Sequence, residues 1–193
     1  IATAKRLGAV VSATDVRSAT KEQVESLGGK FIMVEDAEST NAETEGGYAK
    51  EMSDEYKKKQ AKLIADTIAK QDIVICTALI PGKTSPVLIS QEMVESMASG
   101  SVIVDLAVEA GGNCPLSKLG DVVDHNGVKI IGYANVPGRV AKDASALYAK
   151  NIFNFLGLII SKDDKKINLD WEDEIVNAVV LTDKGKLRLE HFN

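Results

Sequence analysis

Reactive side chains are scarce in this sequence. It has two cysteines and two histidines in 193 residues. Cys76 and Cys114 are too few and too far apart to form a disulfide framework or a four-ligand zinc site, so a reducing compartment is the simpler expectation. Cys114 would need a nearby base to act as a nucleophile, but His125 sits in a turn-like Asp-His-Asn-Gly and His191 in the terminal tail. Both histidines are expected to be solvated, and no metal site is expected. Long apolar runs are also missing. The best stretches, residues 101–108 and 152–160, fall well short of the roughly 20 residues that cross a bilayer. A formal net charge of −5 and a single dense basic run, Lys57-Lys58-Lys59 among acidic neighbours, argue against nucleic acid as a partner. The first residue is Ile1, with neither a basic n-region nor an apolar h-region behind it, so the start of the protein is expected to lie upstream or to be processed.

Two hydrophobic patterns alternate along the chain. Runs rich in β-branched residues at 9–14, 30–34, 72–77, 101–106 and 128–133 predict strands. Stretches of helical period at 21–27, 54–70, 91–97 and 139–158 predict helices. Several of the helices begin after Ser, Thr or Asp and end near glycine. This alternation predicts an α/β, doubly wound parallel sheet of Rossmann-like type, buried on both faces. Residues 1–7 (IATAKRL) read as the helix that follows a first strand. The chain contains no G-x-G-x-x-G, so the sheet is expected to lack its first strand and glycine loop. The expected division is residues 1–138 for the dinucleotide-type domain and 139–193 for a long connecting helix and tail. In the tail, segments 166–171 and 174–181 and a tight turn at Asp183-Lys184-Gly185 predict a small C-terminal β appendage.

In a doubly wound fold, ligands bind beyond the carboxyl ends of the strands. Asp15 follows the first visible strand, in Ala-Thr-Asp-Val-Arg, and two roles are open to it. It could accept hydrogen bonds from an adenosine ribose, which selects NAD(H) over NADP(H), or it could cap the next helix. Arg17 could favour a phosphate or stack beside adenine. Residues 77–83 (TALIPGK) combine small residues with Pro81-Gly82, so they could admit a ligand close to the backbone or simply turn. Residues 109–115 (EAGGNCP) are comparable, with Asn113 offering an amide to a ligand or to the turn.

Taken together, residues 13–17 (ATDVR), 21–30 (KEQVESLGGK), 46–52 (GGYAKEM), 77–83, 104–115 (VDLAVEAGGNCP) and 136–139 (VPGR) resemble the NAD(H)-binding domain I of the proton-translocating NAD(P) transhydrogenase α subunit, within the alanine dehydrogenase superfamily. The likeness is strong over about residues 1–160 and weaker in the tail. It implies hydride transfer from NADH to NADP+ on a separate domain, coupled to proton movement through a membrane domain, with the redox chemistry carried by the cofactors and no catalytic side chain. It further implies that Asp15, Val16 and Arg17 contact the adenosine half, that Gly47 and Tyr48 lie on a closing loop, and that Gln60 and Leu79, with Thr77 and Ala78 beside them, complete the pocket. The implied partners are a second copy in a homodimer, the NADP(H)-binding domain and the membrane domain, with no direct membrane insertion. The implied location is the cytoplasmic side of a bacterial inner membrane or the mitochondrial matrix. Family residues on the nicotinamide side would precede Ile1, so this stretch alone is expected to bind NADH weakly and not to turn over. An alanine dehydrogenase-like oxidoreductase and a non-catalytic dinucleotide-binding module are the competing readings.

Overall fold

The computed structural model describes residues 1–34, 53–80 and 82–188. The chain divides into two compact units, Ile1–Ala134 and Asn135–Asn193. In the first, helix α1 (Ala2–Arg6) leads to strand β1 (Ser12–Ala13), helix α2 (Thr20–Ser26) and strand β2 (Lys30–Phe31). The two strands pair in parallel, Ser12 opposite Lys30 and Ala13 opposite Phe31. Gly28, at φ +76°, ends α2 in the left-handed conformation that glycine adopts without a Cβ penalty. Its carbonyl accepts from Lys5 Nζ at 2.7 Å, which fastens α1 to the end of α2.

Helix α3 (Asp54–Ile68) opens on Ser53, whose hydroxyl accepts from the Tyr56 amide at 3.2 Å. Asp54 and Glu55 in its first turn complement the positive end of the helix. Lys57, Lys58 and Lys59 are exposed, as expected of a solvated helix face. Strand β3 (Ile73–Cys76), helix α4 (Gln91–Glu95) and strand β4 (Val102–Asp105) follow, then strands β5 (Val122–His125) and β6 (Val128–Ile131). They form a four-stranded sheet of order β3-β4-β6-β5, parallel except for β5. Strand β5 is not among the elements expected from the sequence pattern. It joins β6 through Asn126 and Gly127, both at positive φ, the backbone of a tight hairpin turn.

One face of this sheet carries the core. Ile103, Val128 and Ile130 pack with Cys76, Ile68, Ile89, Val94, Met97 and Cys114. Each fully buried aliphatic side chain contributes about 1.5–3 kcal/mol. Burial on both faces, expected from the apolar runs, does not extend to β3. Alternation along that strand buries Cys76 but leaves Ile73 and Ile75 65% and 63% exposed.

The second unit consists of a short helix α5 (Val136–Arg139), the 19-residue helix α6 (Ala141–Ile159), helix α7 (Glu174–Val179) and a hairpin of β7 (Thr182–Asp183) with β8 (Lys186–Leu187). The hairpin turns at Lys184 and Gly185, both at positive φ, and is the β element expected there. Residues 174–179, read from sequence as extended, are helical instead. The Asp173 carboxylate accepts from the amides of Ile175 and Val176, and this cap outweighs the β-branched composition.

Candidate functional site

The chemistry-bearing loops of the first unit leave the carboxyl ends of β1, β3 and β4. After β1, Asp15 and Arg17 lock together. Asp15 Oδ1 accepts from the Arg17 amide and from its Nε, each at 2.9 Å, and Oδ2 accepts from Nη2 at 2.7 Å. Burial alone would push the pKa of this carboxyl up, but the hydrogen bonds and charge of Arg17 outweigh it and hold Asp15 below its ordinary value. Its side chain stays 29% exposed. The N-cap role is not taken: α2 is preceded by Ala19, with no side-chain capping bond. Arg17, read as a phosphate or adenine contact, folds back on its own loop. Val16 and Val34 pack against Tyr56 of α3, which is 1% exposed, so Tyr56 ties this loop to the helix carrying Gln60 one turn further on. Gln60 is partly buried.

After β3, Thr77 and Leu79 are exposed and Ala78 is half-buried. Leu79 and Ile80 present apolar side chains, 56% and 44% exposed. Ser85, Leu88 and Ile89 bond to the loop that follows β4. The Ser85 amide donates to Ala110 O at 2.8 Å, and the Leu88 and Ile89 amides both donate to Asn113 O. The Asn113 side chain, 0% exposed, completes the joint. Its Oδ1 accepts from the Ala78 amide at 3.1 Å, and its Nδ2 donates to Ala78 O at 2.9 Å and Pro86 O at 2.7 Å. Asp105, 1% exposed at the end of β4, holds Asn113 in turn. Its Oδ2 accepts from the amides of Asn113 and Cys114 and from the Ser117 hydroxyl, and its Oδ1 from the Ala107 amide. These bonds join the segments after β3 and β4 into one slab.

Gly47 and Tyr48 lie outside the described residues, as does His191. The Asp15 loop and the Thr77–Leu79 loop belong to separate sheets. His125 departs from expectation: it ends β5 rather than occupying a turn, and it pairs with Glu95 of α4 at 3.0 Å. The pairing follows from strand β5, which carries the ring beside α4. Motif reasoning passes over Asp105 and Tyr56. Asp105 does carry a signal, an acid inside the apolar run SVIVDL, because such a carboxylate must be satisfied by donors where the strand ends. Among the described residues no cluster of His, Cys, Asp or Glu could hold a metal ion, and no helix is long and apolar enough to cross a membrane.

A parallel-dominated sheet with two interlocked loops beyond its strand ends, together with a parallel strand pair that carries Asp15 past β1, defines a Rossmann-like α/β domain. Residues 1–190 match the family model described as "Alanine dehydrogenase/PNT, C-terminal domain", and the chain belongs to that family. It is 62% identical over 187 residues to the first part of NAD(P) transhydrogenase subunit alpha of Rhodospirillum rubrum, across 97% of this chain and 49% of that protein. The crystal structure of transhydrogenase from Sinorhizobium meliloti superposes with a TM-score of 0.76 at 52% identity, over 97% of this chain and 48% of that one. An L-alanine dehydrogenase structure shares the fold, with a TM-score of 0.61 at 24% identity, over 80% of this chain and 38% of that one. The chain thus spans about half the length of these transhydrogenase relatives.

Proposed function

We propose that this chain is the NAD(H)-binding part of a proton-translocating NAD(P) transhydrogenase. In that role it holds NADH for hydride transfer to NADP+ on a partner domain, as a homodimer in a membrane-associated complex. The observation that carries the reading is Asp15, an ionised, part-exposed carboxylate just past the end of β1. A carboxylate has about four acceptor sites. Arg17 donates to it three times and the Val16 amide also lowers its pKa, yet the side chain stays 29% exposed, so a ribose hydroxyl could still reach it and a 2′-phosphate would meet its negative charge. The residues present thus fit the adenosine half of NAD(H). The exposed Leu79 and Ile80 suit the flat face of a ring. Gln60, Thr77 and Ala78 would complete that side of the pocket.

The dinucleotide supplies the redox chemistry. The task of this chain is to bind, orient and exclude water. Because it spans about half of its relatives, turnover is proposed for the complete protein and only weak binding for this stretch. Its surroundings would be the cytoplasmic side of a bacterial inner membrane or a mitochondrial matrix. Fluorescence titration with NADH, run on this chain and on the complete protein, tests the reading. Saturable binding by the complete protein, tighter for NADH than for NADPH, is expected. Binding by neither would sink it. Alanine-dependent formation of NADH would transfer the assignment to a dehydrogenase.

A further inference from the structure

The Asn113 side chain is fully buried and makes three hydrogen bonds, all to backbone. It does for Ala78 what a neighbouring peptide does in a sheet, accepting from its N–H and donating to its C=O, across a sequence separation of 35 residues. Its third bond, to Pro86 O, fixes the far side of the same loop. Nothing of Asn113 reaches the surface. Its own backbone is fixed on both sides, by the Asp105 carboxylate at its amide and by the Leu88 and Ile89 amides at its carbonyl. With the polar atoms of Ala78 consumed in this way, the adjoining Thr77, Leu79 and Ile80 stay on the outside of the loop, exposed at the end of β3.

We propose that Asn113, seated by Asp105, is a positioning residue for the dinucleotide: it fixes the shape of residues 77–80 and so sets affinity without touching the ligand. This rests on the NAD(H) reading above. Loose loops lose affinity because ordering must be supplied on binding, whereas a loop fixed beforehand does not incur that cost.

The test uses the complete protein and four variants: Asn113→Asp, which opposes two carbonyls with a carboxylate; the milder Asn113→Ser; Asp15→Asn; and Val94→Ala. Val94 is fully buried in α4, outside the loop, so Val94→Ala serves as a control for lost stability alone. NADH dissociation constants are taken well below each variant's melting temperature, where a merely structural residue leaves them unchanged. The expected result is at least a tenfold weaker Kd for both Asn113 variants and less than a twofold change for Val94→Ala. If wild type binds and Asp15→Asn weakens binding while both Asn113 variants stay within twofold, the positioning role is overturned and the NAD(H) reading survives. If wild type does not bind NADH, both fall. A second measurement needs no variant: the Ala78 amide should exchange at least tenfold more slowly than in the unfolded chain before any NADH is added. An unprotected Ala78 amide in the ligand-free protein would overturn the proposal even if the Asn113 variants failed to fold.

Discussion

Arg17 closes back on Asp15 from two residues away, with Nη2 2.7 Å from Oδ2 and Nε 2.9 Å from Oδ1. The guanidinium that reads in sequence as either a phosphate contact or an adenine neighbour is held by the carboxylate that would repel a phosphate.

Replacing Asp15 with Asn should weaken NADH binding in the complete protein by about ten- to a hundredfold, the loss of a hydrogen bond to a charged group worth roughly 1.5–3 kcal/mol. It should also narrow the preference over NADPH. Paired titrations with the two nucleotides check this, and unchanged discrimination would remove Asp15 from the site.

The Asp15 carboxyl should titrate below the ordinary 3.8. A depressed folded-state value means that the stabilisation is complete above the unfolded value and is lost only as pH falls through the folded one. The pair therefore contributes a flat stability profile from pH 7 down to about 4 and a decline below that. Carboxyl-carbon NMR titration of wild type and Arg17→Met should show the midpoint rising in the variant.

Asp105→Asn places an amide against donors that now converge on a carboxylate: the amides of Ala107, Asn113 and Cys114, and the Ser117 hydroxyl. The expected loss is about 2–4 kcal/mol, read from denaturant midpoints. Little change would mean that the loop closes equally well without an anion.

Gly112 has φ +84°, and a Cβ there would stand 2.8 Å from Asp105 Oδ2. Gly82 has φ +70° with nothing within 4 Å. Alanine at either position bears the left-handed backbone strain of about 1–2 kcal/mol. Only Gly112→Ala should also disturb the carboxylate, so its loss of stability should be clearly the larger in parallel urea melts.

Burial pushes the Cys76 thiol up to about 12, helped by the charge of Asp105 and by Cys114, and burial raises Cys114 as well. At pH 8 roughly one Cys76 in ten thousand would be thiolate. Neither cysteine should react with a thiol reagent in the folded protein, and both should react at once in denaturant.

The fold is legible in sequence where local pattern and tertiary demand agree. The runs at 72–77, 101–106 and 128–133 form β3, β4 and β6 because β-branched residues favour the extended strand, even in β3, which lies at the sheet edge with Ile73 and Ile75 exposed. Strand β5 is hidden because Val122-Val123-Asp124-His125 is short and half-polar, and its partner β6 lies two residues on. Residues 174–179 mislead for the opposite reason: β-branched composition loses to the Asp173 cap. At the site, Asp15 is visible as an acid after a strand. Arg17 is visible as a charge but not as the partner of Asp15, because a two-residue turn decides where a guanidinium points. Asn113 can be seen only as an amide in a glycine-rich loop. The partners that give it meaning, Ala78 and Pro86, are distant in sequence and become neighbours only when β3 and β4 pair.

That distance has a kinetic corollary. A bond between residues 35 apart has to wait for two strands to align, so the loop beyond β3 should be among the last parts of this unit to order. The amide proton of Ala78 is then a natural clock for refolding, since its protection begins only when the two halves of the sheet edge have met.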